Sequence, residues 1–412
     1  MLRGNRSLQA LLLAEIVSST GTAMTFVALP WFVLITSGSA GRMSIVLAAE
    51  VVPMALLGIP SGSVVSRLGS RVSMLVSDAV RAPLIALVPV LHWAGALSFP
   101  LLVAIVFVLG VFIAPYMGAQ RTIIPELFGD DETTVAKASG LFGGAAQVPN
   151  VLGPAVAGVL IAALGAPSVL VVDGATFAVA FVLVGLLVQA GRRLPADDES
   201  RGVLAGVRYL ARDRLLGPVT LTLVVLDGAG NAFSVAVPLL AFTRYHRDPH
   251  VAGWIFTGFG VGAVLGSVVV VKLLDRFRPI RLAAAGVLLV TLPIWIVVAD
   301  VPWPVACVAV STCGFFVPMV NAPFMGILTT RPPVTLRPKV MTAVLTASGL
   351  GAPLGRLAIG PVFQRFGNTG TWIALAGGLS TGAILFGAAA LRGSAGDAAN
   401  LAGMAAIADP EP

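Results

Sequence analysis

Charge is what this sequence has least of. Only 11% of its 412 residues are Asp, Glu, Lys or Arg, against about a quarter in a water-soluble globular domain. With 57% hydrophobic residues and a mean hydropathy of +0.96, the chain cannot cover a water-facing surface and must present an apolar one to lipid. Cysteine is nearly absent. Cys307 and Cys313 lie six apart in one apolar stretch, neither a CxxC nor a metal-ligand spacing, so both read as small packing residues. His92, His246 and His250 fall near loops and form no metal constellation. No Gly-x-x-x-x-Gly-Lys phosphate cradle occurs, which excludes an ATP-driven pump within this chain. Enzymatic triads are missing too, so neither catalysis nor a metal or cofactor is expected. Lysine is scarce: Lys137, Lys272 and Lys339 are the three among 26 basic residues, an arginine bias that fits a high-GC bacterial genome.

What is there is a series of apolar runs, at about 8–36, 43–65, 72–91, 98–119, 134–164 and 167–190, then 215–241, 251–274, 280–299, 303–328, 338–363 and 369–391. Each is long enough to cross about 30 Å of hydrocarbon as a helix of about 20 residues. None alternates in the manner of barrel strands. The first run is too long for a signal-peptide core and has no small-residue cleavage site at its end, so it reads as the first spanning helix. Residues 191–214 form the long polar connector, with 203–212 a short helix along the membrane surface. The stretch 392–412 is Gly/Ala-rich and reads as a disordered tail.

The net charge of +7 and pI near 10.2 would point to nucleic acid in a soluble protein. Here no nucleic-acid partner is expected, because cationic loops are what orient membrane proteins. With the N-terminus inside and twelve spans, only Arg42, Arg244, Arg247, Arg356 and Arg365 fall outside, leaving 21 of the 26 basic residues on the cytoplasmic side. That bias puts both termini and the 191–214 linker in the cytoplasm.

The chain also repeats itself. Ala114-Pro115-Tyr116-Met117-Gly118 recurs as Ala322-Pro323-Phe324-Met325-Gly326, an offset of 208. Ala138-Ser139-Gly140-Leu141 recurs as Ala347-Ser348-Gly349-Leu350, Leu152-Gly153-Pro154 as Ile359-Gly360-Pro361, and Ser66-Arg67 faces Asp275-Arg276, at offsets of 209, 207 and 209. Six helices repeated in the same direction are the signature of one large transporter class, with the solute site between the halves. The layout resembles the major facilitator superfamily over nearly the whole chain. Gly62 through Ser66-Arg67-Leu68-Gly69-Ser70-Arg71 is similar to that family's loop between helices 2 and 3, with Ser66 where the family usually has aspartate. Gly153-Pro154-x-x-x-Gly158 resembles the helix-kink motif of drug:proton antiporters. Ser77-Asp78-Ala79-Val80-Arg81, Ile124-Pro125-Glu126 and Val172-Asp173 through Phe177 resemble the macrolide-efflux-type branch. The resemblance implies an all-α polytopic membrane protein of twelve transmembrane helices in two parallel six-helix repeats: residues 1–190, and 215–391 after the linker. It further implies a monomer in the bacterial inner membrane.

A charge inside hydrocarbon is a functional candidate by default. Asp227, mid-span in Asp227-Gly228-Ala229-Gly230-Asn231, is the first candidate for proton coupling, its glycines letting the helix open; the other reading is a structural acid bonded to Asn231. Glu15 is the second, either facing a cavity or snorkelling to the interface. Asp173 reads as a packing acid. Asp78 and Arg81, three apart on one helix, suit a local ion pair with a structural or gating role. Glu50 and Arg356, each about seven residues inside the outer end of its helix, are expected to pair as an outer gate, and the alternatives are bonding within their own halves or Arg356 snorkelling to the outer interface. Arg67, Arg71, Asp275 and Arg276 are gating candidates through the loop resemblance. Asn231, Phe112, Tyr116, Phe316 and Asn321, with Phe107 and Phe315 nearby, are candidates for lining a substrate cavity, although aromatics at helical spacing are commonly plain packing.

The resulting expectation is proton-coupled export of a hydrophobic or amphipathic small molecule by alternating access, with the small-molecule substrate, protons and the lipid bilayer as partners. A nutrient importer or uniporter is the rival transport reading, and a non-transporting membrane sensor or scaffold the rival of another class. The charge bias predicts that single cysteines replacing Ser200 and His246, in a background without Cys307 and Cys313, react with membrane-impermeant maleimide from opposite sides. Labelling from one side only would refute the twelve-span layout.

Overall fold

A chain with so little charge has to satisfy its backbone internally, and in hydrocarbon the helix does so within one segment. The computed structural model describes residues 5–129, 131–189, 199–333 and 336–408, and these are helical with short turns and without strand. The first six helices are α1 (Arg6–Ser37), α2 (Ala40–Leu68), α3 (Ser70–Trp93), α4 (Phe99–Phe128), α5 (Glu132–Leu164) and α6 (Ala166–Leu187). The short helix α7 (Glu199–Arg212) follows, then α8 (Leu216–Thr243), α9 (Pro249–Leu274), α10 (Pro279–Thr291), α11 (Ile294–Val298), α12 (Trp303–Phe316), α13 (Pro318–Thr330), α14 (Arg337–Gly349) and α15 (Gly351–Ala408). Residues 191–198 of the expected linker and 409–412 of the tail lie outside the described residues.

Eleven described helices are long and apolar enough to cross a membrane, and the last of them, Lys339–Gly393, has 55 residues. That length suffices for two crossings at about 20 residues each. Gly367, at φ 66° and ψ −164°, divides it, so the chain has the twelve spans of the expected all-α fold. Two other expected single helices are broken. Pro293 parts α11 from α10, and Pro318 opens α13 after α12, because proline lacks the N–H and crowds the preceding turn. The eleventh run is divided as well, between Gly349 and Gly351. The disordered tail expected after Arg392 is not what the backbone shows. It stays helical through Ala408, as its many alanines favour.

By contacts the chain divides into two compact units: Met1–Ser200 with Ala232–Gly260 and Arg356–Thr371, and Arg201–Asn231 with Val261–Gly355 and Trp372–Pro412. In the first, α1 lies along α5 and α6, α2 along α4, and α3 between α4 and α6. In the second, α10 packs on α12 and α13. Each has its own apolar core, and the sequence repeat reappears there. Leu8, Leu11 and Tyr116 are buried in one, while Leu216, Val219 and Phe324, each 208 residues later, are buried in the other.

Asp213 shows how a span is started. Its Oδ1 accepts from the N–H groups of Leu215 and Leu216 at 2.9 and 2.8 Å, and its Oδ2 accepts from Arg331 Nε at 2.9 Å. Burial works against ionisation of this carboxyl, but Arg331 and the two N–H donors outweigh it and hold the group below the usual carboxylate range. A depressed carboxyl stabilises the fold above its unfolded value, about 3.9, and the contribution is lost as pH falls through the folded value. Asp213→Ala should therefore cost about 1–2 kcal/mol near neutral pH. In thermal unfolding of the detergent-solubilised protein, that deficit should shrink towards zero as pH drops below about 4; an undiminished gap would contradict the assignment.

Candidate functional site

The first unit concentrates charge where water does not reach. On α1, Glu15, Ser19 and Thr22 repeat at helical spacing and bring their side chains to one face. Asp78 and Arg81 come from α3, Tyr116 and Gln120 from α4, and Asp173, Thr176 and Phe177 from α6. Glu15, Asp78 and Asp173 are 2%, 0% and 1% exposed, and Arg81 is 6% exposed. Glu15 accepts from Ser19 Oγ and Gln120 Nε2, both at 2.6 Å. Asp173 accepts from Thr25 Oγ1 at 2.6 Å and Thr176 Oγ1 at 3.2 Å. Such close approach of α1 and α6 requires Gly21, where a Cβ would collide with Thr176 Oγ1 and Asp173 Oδ1.

Arg81 is not bonded to Asp78, contrary to the local ion pair expected from their spacing. Its guanidinium lies 4.0 Å over the Phe177 ring and 5.2 Å over Tyr116, and donates to Thr22 Oγ1 at 3.3 Å. A ring face desolvates and attracts the flat cation, and it draws the fork away from its neighbour on α3. Tyr116 is accordingly core, 6% exposed, instead of lining a cavity. Asp173, read from the sequence as packing, belongs to this cluster; its sequence signals were its place among the intramembrane acids and the branch resemblance of Val172-Asp173 through Phe177.

A second pair lies in the same unit. Arg356 Nη1 donates to Glu50 Oε2 at 2.8 Å and to the Leu47 carbonyl at 2.9 Å. Arg356 is almost enclosed and Glu50 about a quarter exposed. In the same unit Gly360 meets Gly41, Trp31 touches Phe242 at 5.8 Å and Phe26 touches Phe256 at 5.0 Å. Helix α5 continues through Gly153, Pro154 and Gly158. The two glycines are contact points: a Cβ at Gly153 would fall 2.5 Å from Ala23 Cβ, and one at Gly158 3.0 Å from the Pro249 carbonyl.

In the second unit Asp227 is half-buried, and Asn231 Nδ2 donates to its carbonyl at 3.0 Å and its Oδ2 at 3.4 Å. Helix α8 continues through the neighbouring glycines. Gly228 is a close crossing with Gly351 and Gly355, where the sequence had suggested a point of opening. Phe316 packs on Val270, Leu282 and Met319 and edge-on to Phe315 at 5.3 Å. Phe112 is half-buried, while Phe107 and Asn321 are exposed. Of the loop candidates, Arg67, Asp275 and Arg276 are exposed, and Arg71 donates to the Gly185 carbonyl at 2.5 Å.

Twelve spans, with charge buried among the helices of the first unit, have the major facilitator fold, and the family match makes this a membrane transporter and not an enzyme. Residues 4–411 match the family model described as "Transmembrane secretion effector", and the chain belongs to that family. It is similar to the multidrug efflux pump Tap of Mycolicibacterium fortuitum, 28% identical over 89% of this chain and 91% of that protein. It is similar also to Tap of Mycobacterium tuberculosis, 25% identical over 89% of each. Among solved structures, the nucleoside transporter NupG superposes with a TM-score of 0.75 at 12% identity, covering 93% of this chain and 98% of that one, which bears on the fold alone.

The Glu50–Arg356 geometry makes a quantitative prediction. Removing one partner of a nearly buried pair leaves the other charge uncompensated, at about 3 kcal/mol or more. Glu50→Gln and Arg356→Gln should each lower stability to denaturant by about that much, and the double variant should lose clearly less than their sum. Simple additivity would show the pair to be uncoupled.

Proposed function

We propose that this protein exports hydrophobic or amphipathic small molecules, drugs among them, in exchange for protons. The observation that carries this reading is the match to two multidrug efflux pumps over nine-tenths of the chain. The charge bias of the loops supports an inner-membrane orientation with both termini cytoplasmic. The repeat supports alternating access by a single chain whose halves, 1–190 and 215–391, rock about a midplane site.

In this reading Glu50 and Arg356 clasp the outer side and part when it opens. Arg356 Nε has no hydrogen-bond partner among the described residues. A pair satisfied on only one side of its guanidinium suits a contact that must break in every cycle. Asp227 and Glu15 are the proposed coupling acids, each already held by a neighbouring amide that can serve the carboxylate or the carboxylic acid. Asn231, Phe112, Phe316 and Asn321 are the proposed substrate contacts.

The test is uphill extrusion of ethidium, an amphipathic cation, from proteoliposomes under an imposed pH gradient. Extrusion should collapse with a protonophore. Asp227→Asn should abolish it while ethidium exchange persists, and Glu15→Gln should reduce it less. Extrusion by the unmodified protein that ignores the pH gradient would overturn the proton-exchange reading.

A further inference from the structure

Among the described residues of the first unit, Asp78 is an acid without a hydrogen-bond partner. Asp78 is fully enclosed, and neither of its carboxylate oxygens has a hydrogen-bond partner among the described residues. The hydroxyl of Ser77 beside it is likewise buried without one. The other two acids of the cluster are served: Glu15 by Ser19 and Gln120, Asp173 by Thr25 and Thr176. The single cation, Arg81, is engaged with Phe177 and Thr22. Arg81, Glu15 and Asp173 all lie within electrostatic reach of Asp78.

Three carboxylates against one guanidinium leave surplus negative charge in a dry place, which a bound cation would balance. No group of three or more His, Cys, Asp or Glu side chains that could hold a metal ion occurs among the described residues. A proton needs no coordination shell, and it converts an acceptor that has no donor into a neutral group. The cluster also has a way in. Ser19 and Gln120, which hold Glu15, are half-exposed, and Thr22, which holds Arg81, is exposed. Asp173 in turn feels Glu50 of the outer clasp.

We propose that Asp78 is a proton-binding site, set between Glu15 of α1, Arg81 of α3, Tyr116 of α4 and Asp173 of α6, and loaded from the Glu15–Gln120 side. The site deepens the proton-exchange reading and rests on it for its role. In the exchange the Asp78 carboxylate takes one proton from hydronium on one side, forming its O–H bond as that of hydronium breaks, and returns it to water on the other.

Infrared pH-difference spectra of the full chain in lipid nanodiscs test proton binding without transport. The unmodified protein should show a protonated-carboxyl C=O band that titrates and shifts on deuterium exchange. Asp78→Asn should remove that band, Asp78→Glu should restore it at a displaced frequency, and Asp227→Asn should leave it in place. The band surviving in Asp78→Asn overturns the proposal, as does its loss when sodium replaces potassium at constant pH. Should Asp78→Asn fail to elute as a folded species, Asp78→Glu decides, because an undisplaced band there is equally fatal. The two readings fail separately. A titrating Asp78 band with gradient-independent ethidium extrusion supports the site and removes the export mechanism, whereas gradient-driven extrusion with the band intact in Asp78→Asn removes only the site.

Discussion

Hydrocarbon offers a polar group nothing to bond to, and that constraint sets both the backbone and the chemistry of this protein. A charge at mid-membrane costs about 3 kcal/mol on insertion scales, the same order as one or two charge-assisted hydrogen bonds or a desolvated cation–π contact. Arg81 over Phe177, Arg356 between Glu50 and Leu47, and Glu15 between Ser19 and Gln120 each collect about that much compensation. Against that pattern the unserved carboxylate of Asp78 stands out, and its compensation has to come from charge balance.

Apolar attraction does not hold helices together in lipid, so close packing must. Glycine supplies it. Gly262 and Gly266, four apart on α9, lie against the carbonyls of Ser311 and Phe315, four apart on α12. Gly228 meets Gly351 and Gly355 in the same manner, and Gly153 meets Ala23 in the first unit. Backbone against backbone makes a stiff seam. The Glu50–Arg356 contact, by contrast, is made by the tips of long side chains.

The turn between α2 and α3 shows how a departure from a family pattern is absorbed. Ser66, in place of the usual aspartate, bonds back to the Ser63 carbonyl at 3.0 Å. Order there comes from elsewhere. Gly69 takes φ 84°, and Glu126 of α4 accepts from the Ser70 N–H at 3.1 Å and its hydroxyl at 2.7 Å, capping α3 from a neighbouring helix. Arg71 ties the same turn to the end of α6.

Twelve spans, the two-fold repeat and the roster of intramembrane acids could be read from the sequence, because hydropathy and charge cost are properties of single segments. Which acids meet was beyond it. Asp78 and Arg81 look like a pair on one helix, yet Phe177, about a hundred positions away, competes for the guanidinium and wins it. Gly153 and Gly228 look like hinges because a lone helix gains flexibility from glycine, while in the fold another helix occupies the space that the missing side chain leaves. Tyr116 looks available to a ligand until Arg81 and the first core cover it. Composition determined the solvent and the element; the crossing of helices decided which side chains share a site, since contacts between distant segments have no local signature.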